Sequence, residues 1–184
     1  MRALALSLLL AATAAFADEP LAWLFTGPVE EPKLADLGYE GGVDATHSHS
    51  GRRSVFLRSL IDKPRKHAVV MQSIAADRYR GRRVRLSAWV LTDGRARPWI
   101  GINVTTGETS VGRVDIPVSA SGGWQREEAV VDVAASAQTL HFGMLLGGPG
   151  QAWLDDVRLE VVGDSVPATG PRLPFEPRNL DFEE

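Results

Sequence analysis

Asp44, His47 and His49 fall within one short stretch, DATHSHS. At i and i+2, His47 and His49 would share one face of an extended chain, a spacing that can supply two metal ligands. No third His, Cys or carboxylate continues that face inside the segment, so the expectation is a hydrogen-bonded loop approaching a strand, not a zinc site. Asp155 and Asp156 form a second chemical pair. Glycoside hydrolysis needs two carboxyl groups flanking one bond, and adjacent strand residues point to opposite faces. Acyl transfer by an exposed serine elbow needs G-x-S-x-G, which is absent, as are a P-loop and a G-x-G-x-x-G turn. The chain is therefore read as no enzyme. A third group has binding chemistry: Trp89 and Trp99 with Arg85, Asn103 and Gln72. A sugar presents an apolar C–H face and a rim of hydroxyls, so its site needs an aromatic platform beside hydrogen-bonding side chains.

Those side chains are positioned by period-two patterns. Val84, Leu86, Ala88 and Val90 claim one face of a strand over Val84 to Leu91, which puts Arg85 and Trp89 on the other. Ile100, Ile102 and Val104 do the same over Trp99 to Thr105, with Trp99 and Asn103 opposite. If these strands pair through the turn at Asp93-Gly94, the two indoles become neighbours on one platform. Further strands are expected at Ser54 to Leu60, His67 to Ala75, Trp124 to Val133 and Leu140 to Leu146, with a first edge strand at Leu21 to Phe25 in an otherwise irregular start. Trp23 and Phe25 would share a face and close the end of the core.

The last strand, Gln151 to Val162, organises the rest. Val157, Leu159 and Val161 alternate onto one face, but Leu154 has the opposite parity. If Leu154 is also buried, Asp155-Asp156 must sit at a β-bulge, where one extra residue resets the alternation. Short strands, 18 Gly and 11 Pro, and no long amphipathic helix point to an all-β, two-sheet antiparallel jelly-roll β-sandwich.

The start of the chain reads as a signal peptide over residues 1–17: Arg2, an apolar run from Ala3 to Ala12, then Ala15-Phe16-Ala17 before Asp18. The apolar run is too short for a bilayer span, and no other run approaches that length. A periplasmic or extracellular location is expected. With no cysteine, disulfides, thiol catalysis and Cys-based zinc sites are excluded, so the sandwich over 18–163 must rest on its core. The formal charge of −3, one unit more negative once Arg2 leaves with the leader, is no footprint for nucleic acid despite the RYRGRRVR run at Arg78 to Arg85. From residue 164 to 184 a Pro-rich tail, expected to be extended or mobile, ends in NLDFEE, whose Leu180 and Phe182 could pack on a sheet edge.

The pieces HSGRRSVFLRS, YRGRRVRLSAWV and GGWQREEAVVDV, together with QAWLDDVRLEVV, resemble the galactose-binding-like β-sandwich modules, carbohydrate-binding-module-like jelly rolls of secreted bacterial proteins. The resemblance covers roughly residues 20 to 163. It implies a non-catalytic binding module for carbohydrate or another polar ligand. It also implies a structural calcium near the closing Asp, here Asp155 or Asp156, beside an opening Asn-x-x-Phe-Glu strand. That pattern stands at the far end of this chain, at Asn179 to Glu183, and the simpler expectation is that Asp155 bonds backbone amides at the bulge. A protein partner in the cell envelope is the alternative to a glycan.

Overall fold

The computed structural model describes residues 22–28, 30, 32–119 and 122–170. The signal peptide and NLDFEE lie outside them. Ten strands follow one another: β1 (Leu24–Thr26), β2 (Tyr39–Asp44), β3 (Ser54–Ser59), β4 (His67–Ala75), β5 (Arg83–Asp93), β6 (Arg97–Thr106), β7 (Thr109–Pro117), β8 (Gln125–Asp132), β9 (Thr139–Gly147) and β10 (Gln151–Val162). A 3-10 turn at Leu34–Leu37 is the sole helical element among the described residues. The strands form two five-stranded antiparallel sheets, ordered β1-β4-β9-β6-β7 and β2-β3-β10-β5-β8, the all-β sandwich that the alternation demands.

The core lies between them. From the first sheet come Val70, Ile100, Ile102, Val104, Leu140, Met144 and Leu146; Leu57, Val84, Leu86, Ala88, Val90 and Leu154 face them from the second, and all are almost fully buried. Trp23 and Phe25 pack against this core from the β1 edge, Trp23 meeting Phe142 edge-on at 6.1 Å between centroids. The bulge is present as the parity required: Leu154 is 2% exposed, Val157 also packs inward, and the pairing with β5 slips between Asp155 and Arg158. Asp156 takes the strain, with φ at 48°.

Three expectations change. β2 and β7 stand outside the expected strands: both are sheet edges, and their apolar alternation is absent or very short. β2 carries glycines where an alternating apolar set would stand, and β7 is polar and exposed along most of its length. β5 and β6 do not pair: the chain leaves Asp93 and crosses from one sheet to the other through a corner at Gly94, with Ala96 buried beneath it. Each strand is long enough to be an inner member of its own sheet, and burying two apolar faces against each other needs them in opposite sheets. The tail also begins held, not loose. Arg83 donates to the carbonyls of Asp164 (3.1 Å) and Val166 (2.8 Å), while Thr169 exchanges bonds with Val130 on the outer edge of β8.

Candidate functional site

The outward face of the first sheet can be written from its register alone. One row across the strands reads Thr26, Val69, Leu145, Trp99, Pro117; the next Leu24, Met71, Gly143, Gly101, Asp115; the third Ser73, His141, Asn103, Arg113. The middle row has two glycines side by side, so the sheet is bare at its centre. An apolar row borders the gap on one side and a polar row on the other. The result is a trough of about 460 Å³ lined by members of all three rows, with His67 at one end.

Glycine is required at residue 143, where a side chain would meet backbone, while at residue 101 a Cβ would have to displace the Asp115 side chain. A Cβ at residue 143 would stand 2.1 Å from the Val70 carbonyl oxygen, and one at 101 would stand 2.3 Å from Asp115 Oδ1. That carboxylate thus leans over the floor, held by Arg113 Nε donating to Oδ2 at 2.5 Å. Asn103 Oδ1 accepts the Ser110 hydroxyl at 2.6 Å, which leaves its NH2 as a donor. His141 Nδ1 lies 2.8 Å from the Ser73 hydroxyl and its Nε2 3.4 Å from that of Thr105. Burial pushes the His141 pKa down. The same cause, reinforced by the charges of Arg113 and Lys66 and weakly opposed by Glu30, lowers that of His67. Both imidazoles are neutral at neutral pH.

The opposite outer face, on the second sheet, is closed. The β2–β3 loop folds over it and spends its histidines there. His49 stacks on Trp89 (3.8 Å between centroids, 13° between planes), meets Trp124 edge-on, and bonds Asp156 through Nδ1 at 2.6 Å. His47 packs on Trp153 and bonds Asp44 at 2.9 Å; Trp153 Nε1 donates to the same carboxylate at 2.7 Å. Burial alone would raise the Asp44 pKa, but bonds from Thr46, Trp153 and His47 outweigh it and hold the carboxyl well below the usual range. Asp156 is lowered by its bonds from His49 and Ser50.

The five expected ligand residues therefore do not converge. Trp99, 41% exposed, and Asn103 lie in the trough. Trp89 and Arg85 lie on the far side of the sandwich, Trp89 under His49 and Arg85 between Glu160 and Glu128. Gln72 has the parity of Val70, so it turns toward the core side. The shared Trp89–Trp99 platform is corrected by the sheet order. Alternation in His67 to Ala75 and Leu140 to Leu146 is enough to place Val69, Met71, His141 and Leu145 opposite the core; Arg113 and Asp115 escape sequence reasoning together with β7.

Calcium does not fit at Asp155-Asp156. Asp155 accepts the amides of His49 (2.8 Å), Ser50 (3.2 Å) and Asp156 (2.7 Å), and Asp156 is taken by His49 and Ser50. These contacts come from N–H and O–H groups, whereas calcium needs about six to eight oxygens. Asp155 bonds backbone amides at the bulge. Each histidine of DATHSHS goes to a separate carboxylate, and among the described residues no group of three or more His, Cys, Asp or Glu could hold a metal.

No family model matches the chain. In solved structures the same sandwich recurs at low identity. TmCBM61, in complex with β-1,4-galactotriose, is 14% identical with a TM-score of 0.51, covering 78% of this chain and 91% of that one. The C-terminal family 22 carbohydrate-binding module of Clostridium thermocellum Xyn10B is 10% identical with a TM-score of 0.54 (79% and 89%). The chain has the fold of a carbohydrate-binding module. That fold also serves catalysis: the Stig cyclase Fisc from Fischerella sp. TAU is 16% identical with a TM-score of 0.58 (80% and 89%). In sequence, the chain is 34% identical over 156 residues to the uncharacterized HTH-type transcriptional regulator YbfP of Bacillus subtilis (strain 168). The match takes 79% of this chain and 53% of that protein, so the chain spans about half the length of the curated relative.

Proposed function

We propose that this chain is a non-catalytic binding module that takes a glycan, or a similar hydroxyl-bearing ring, in the trough of the first sheet. One observation carries the reading: the glycine pair Gly101–Gly143 opens a slot whose two sides are chemically different. A pyranose laid across the glycines would set its C–H face against Trp99, Leu145 and Val69. Its hydroxyls would then meet Asn103, Arg113 and Asp115. Among the described residues lining the trough, Asp115 alone is acidic, so they do not supply the carboxylate pair that glycoside hydrolysis uses. The fold shared with carbohydrate-binding modules supports the reading.

The Bacillus subtilis relative favours a second setting for the same trough, as the sensing part of a longer regulator. A helix-turn-helix takes two packed α-helices, and the described residues contain none, so this portion would hold the effector, not DNA. The settings differ in compartment. Cleavage after Ala17 and export, which we include in the first reading, would set this chain apart from a regulator working on DNA. The mass of the mature product and its cell fraction decide between them. The ligand itself is tested by screening the chain on a polysaccharide and glycan array beside a pull-down from envelope extract. Retention on a glycan that Trp99→Ala weakens about tenfold, by analogy with other aromatic platforms, supports the reading. Capture of a protein by the chain, with no glycan retained, overturns it.

A further inference from the structure

The trough changes character along its length. Its β7 end carries Asp115 and Arg113, with Asn103 on the next strand, so a carboxylate, a guanidinium and an amide line that part. Gly101 and Gly143 follow on β6 and β9, and beyond them the same row ends in Met71 on β4 and Leu24 on β1. That end is apolar. Val69 stands beside Met71 in the neighbouring row, continuous with Leu145 and Trp99, and all of these side chains line the cavity. Leu24 is 52% exposed, more than Trp99 itself. The polar groups near it are engaged or uncharged: the Thr26 hydroxyl donates to the carbonyls of Gly27 (3.1 Å) and Pro32 (3.2 Å), and His67 is driven toward its neutral form by burial and by the charges of Arg113 and Lys66.

A pyranose over the glycines, with its C–H face on Trp99 and Leu145, fills only the centre of this cavity. From Gly143 to Leu24 the floor runs on for two strand spacings, about 10 Å. A second sugar ring placed there would find no aromatic platform over Met71 and Leu24, and neither side chain could bond its hydroxyls. An alkyl or aryl group in the same place would remove apolar surface from water on both partners, and the unbranched Met71 can adapt to either shape. We propose that the trough takes an amphiphilic glycoside, with its sugar over Gly101 and Gly143, its hydroxyls toward β7, and an apolar aglycone along Val69, Met71 and Leu24. The exposed Leu24 then has a partner.

The aglycone end rests on the centre of the trough being a glycan site, and one titration series keeps the two apart. Methyl, butyl, octyl and phenyl β-glycosides of glucose, galactose and xylose, with 1-octanol as the sugar-free control, are titrated into the full chain by calorimetry below their micelle concentrations. Affinity should rise from methyl to octyl by up to about fourfold for each methylene that becomes buried. A gain from phenyl supports the proposal equally, and the larger of the two gains tells an aryl aglycone from an alkyl one. Leu24→Gln and Met71→Gln, both on the outward face, should each reduce the octyl-over-methyl ratio several-fold, with melting curves to check that they fold. If octyl and phenyl glycosides bind no better than methyl ones, or if the gain survives in both variants, the aglycone proposal fails, and retention on the glycan array alone decides the glycan reading. Octanol bound as tightly as the octyl glycosides overturns both, because the sugar would then contribute nothing.

Discussion

The two outer faces of this sandwich are built from the same alternation and come out opposite in kind. The first sheet leaves its centre bare and one tryptophan standing in solvent. The second uses a loop to cover two tryptophans and ties that loop down with three aspartates. Trp153 is only 5% exposed although it points away from the core, because His47 and the Asp44 carboxylate close over it. Trp99 keeps 41% of its surface because its neighbours are Leu145 and Pro117 and, among the described residues, no loop crosses it. An outward-facing tryptophan is therefore not in itself a binding residue; what folds over it decides.

The comparison breaks most sharply at the tryptophans. Trp153→Ala should cost about 3–5 kcal/mol, the loss of a buried ring together with its bond to Asp44, read by chemical denaturation. Trp99→Ala should stay within about 0.5 kcal/mol of the parent while losing ligand. Equal losses at the two positions would erase the distinction between a closed face and an open one.

A smaller effect lies at the bulge. Asp156→Asn should remove about 1–2 kcal/mol, after allowance for its partial exposure. It should also change the pH dependence. Asp156 and Asp44 have folded pKa values below the ordinary 3.8, so their contribution is complete above that value and fades as pH falls through the depressed folded values. Part of this acid loss should disappear in Asp156→Asn, and an unchanged acid limb would count against the latch.

The open face contributes the smallest term, from a different window. His141 has a pKa below 6.5 when folded, so the unfolded chain binds the proton first and stability declines as pH drops from 6.5 toward the folded value. His141→Gln, which keeps polar contact but does not titrate, should lessen the decline below 6.5, leaving the share that His67 contributes there and the carboxylate limb below 3.8 in place. Melting curves across pH, parent beside variant, resolve the two windows.

Parity along each strand was determined by the amino-acid sequence alone. Burying one face of an antiparallel sheet forces period two, so the apolar run of Ile100, Ile102 and Val104 is by itself enough to put Trp99 and Asn103 outside. Parity also required the bulge at Asp155-Asp156, since Leu154 and Val157 could not otherwise both be buried. It says nothing about which strands lie side by side. Only the tertiary structure decided that β5 and β6 belong to opposite sheets, which separated Trp89 from Trp99 and brought Gly143 next to Gly101. β7 escapes for a related reason: it is a mostly exposed edge whose inward alternation is confined to Val114 and Ile116, too short a run to announce the strand that carries Arg113 and Asp115 outward. Alternation is a local consequence of burial, read within one strand, whereas strand order is a global solution for packing two faces together; the trough belongs to the second.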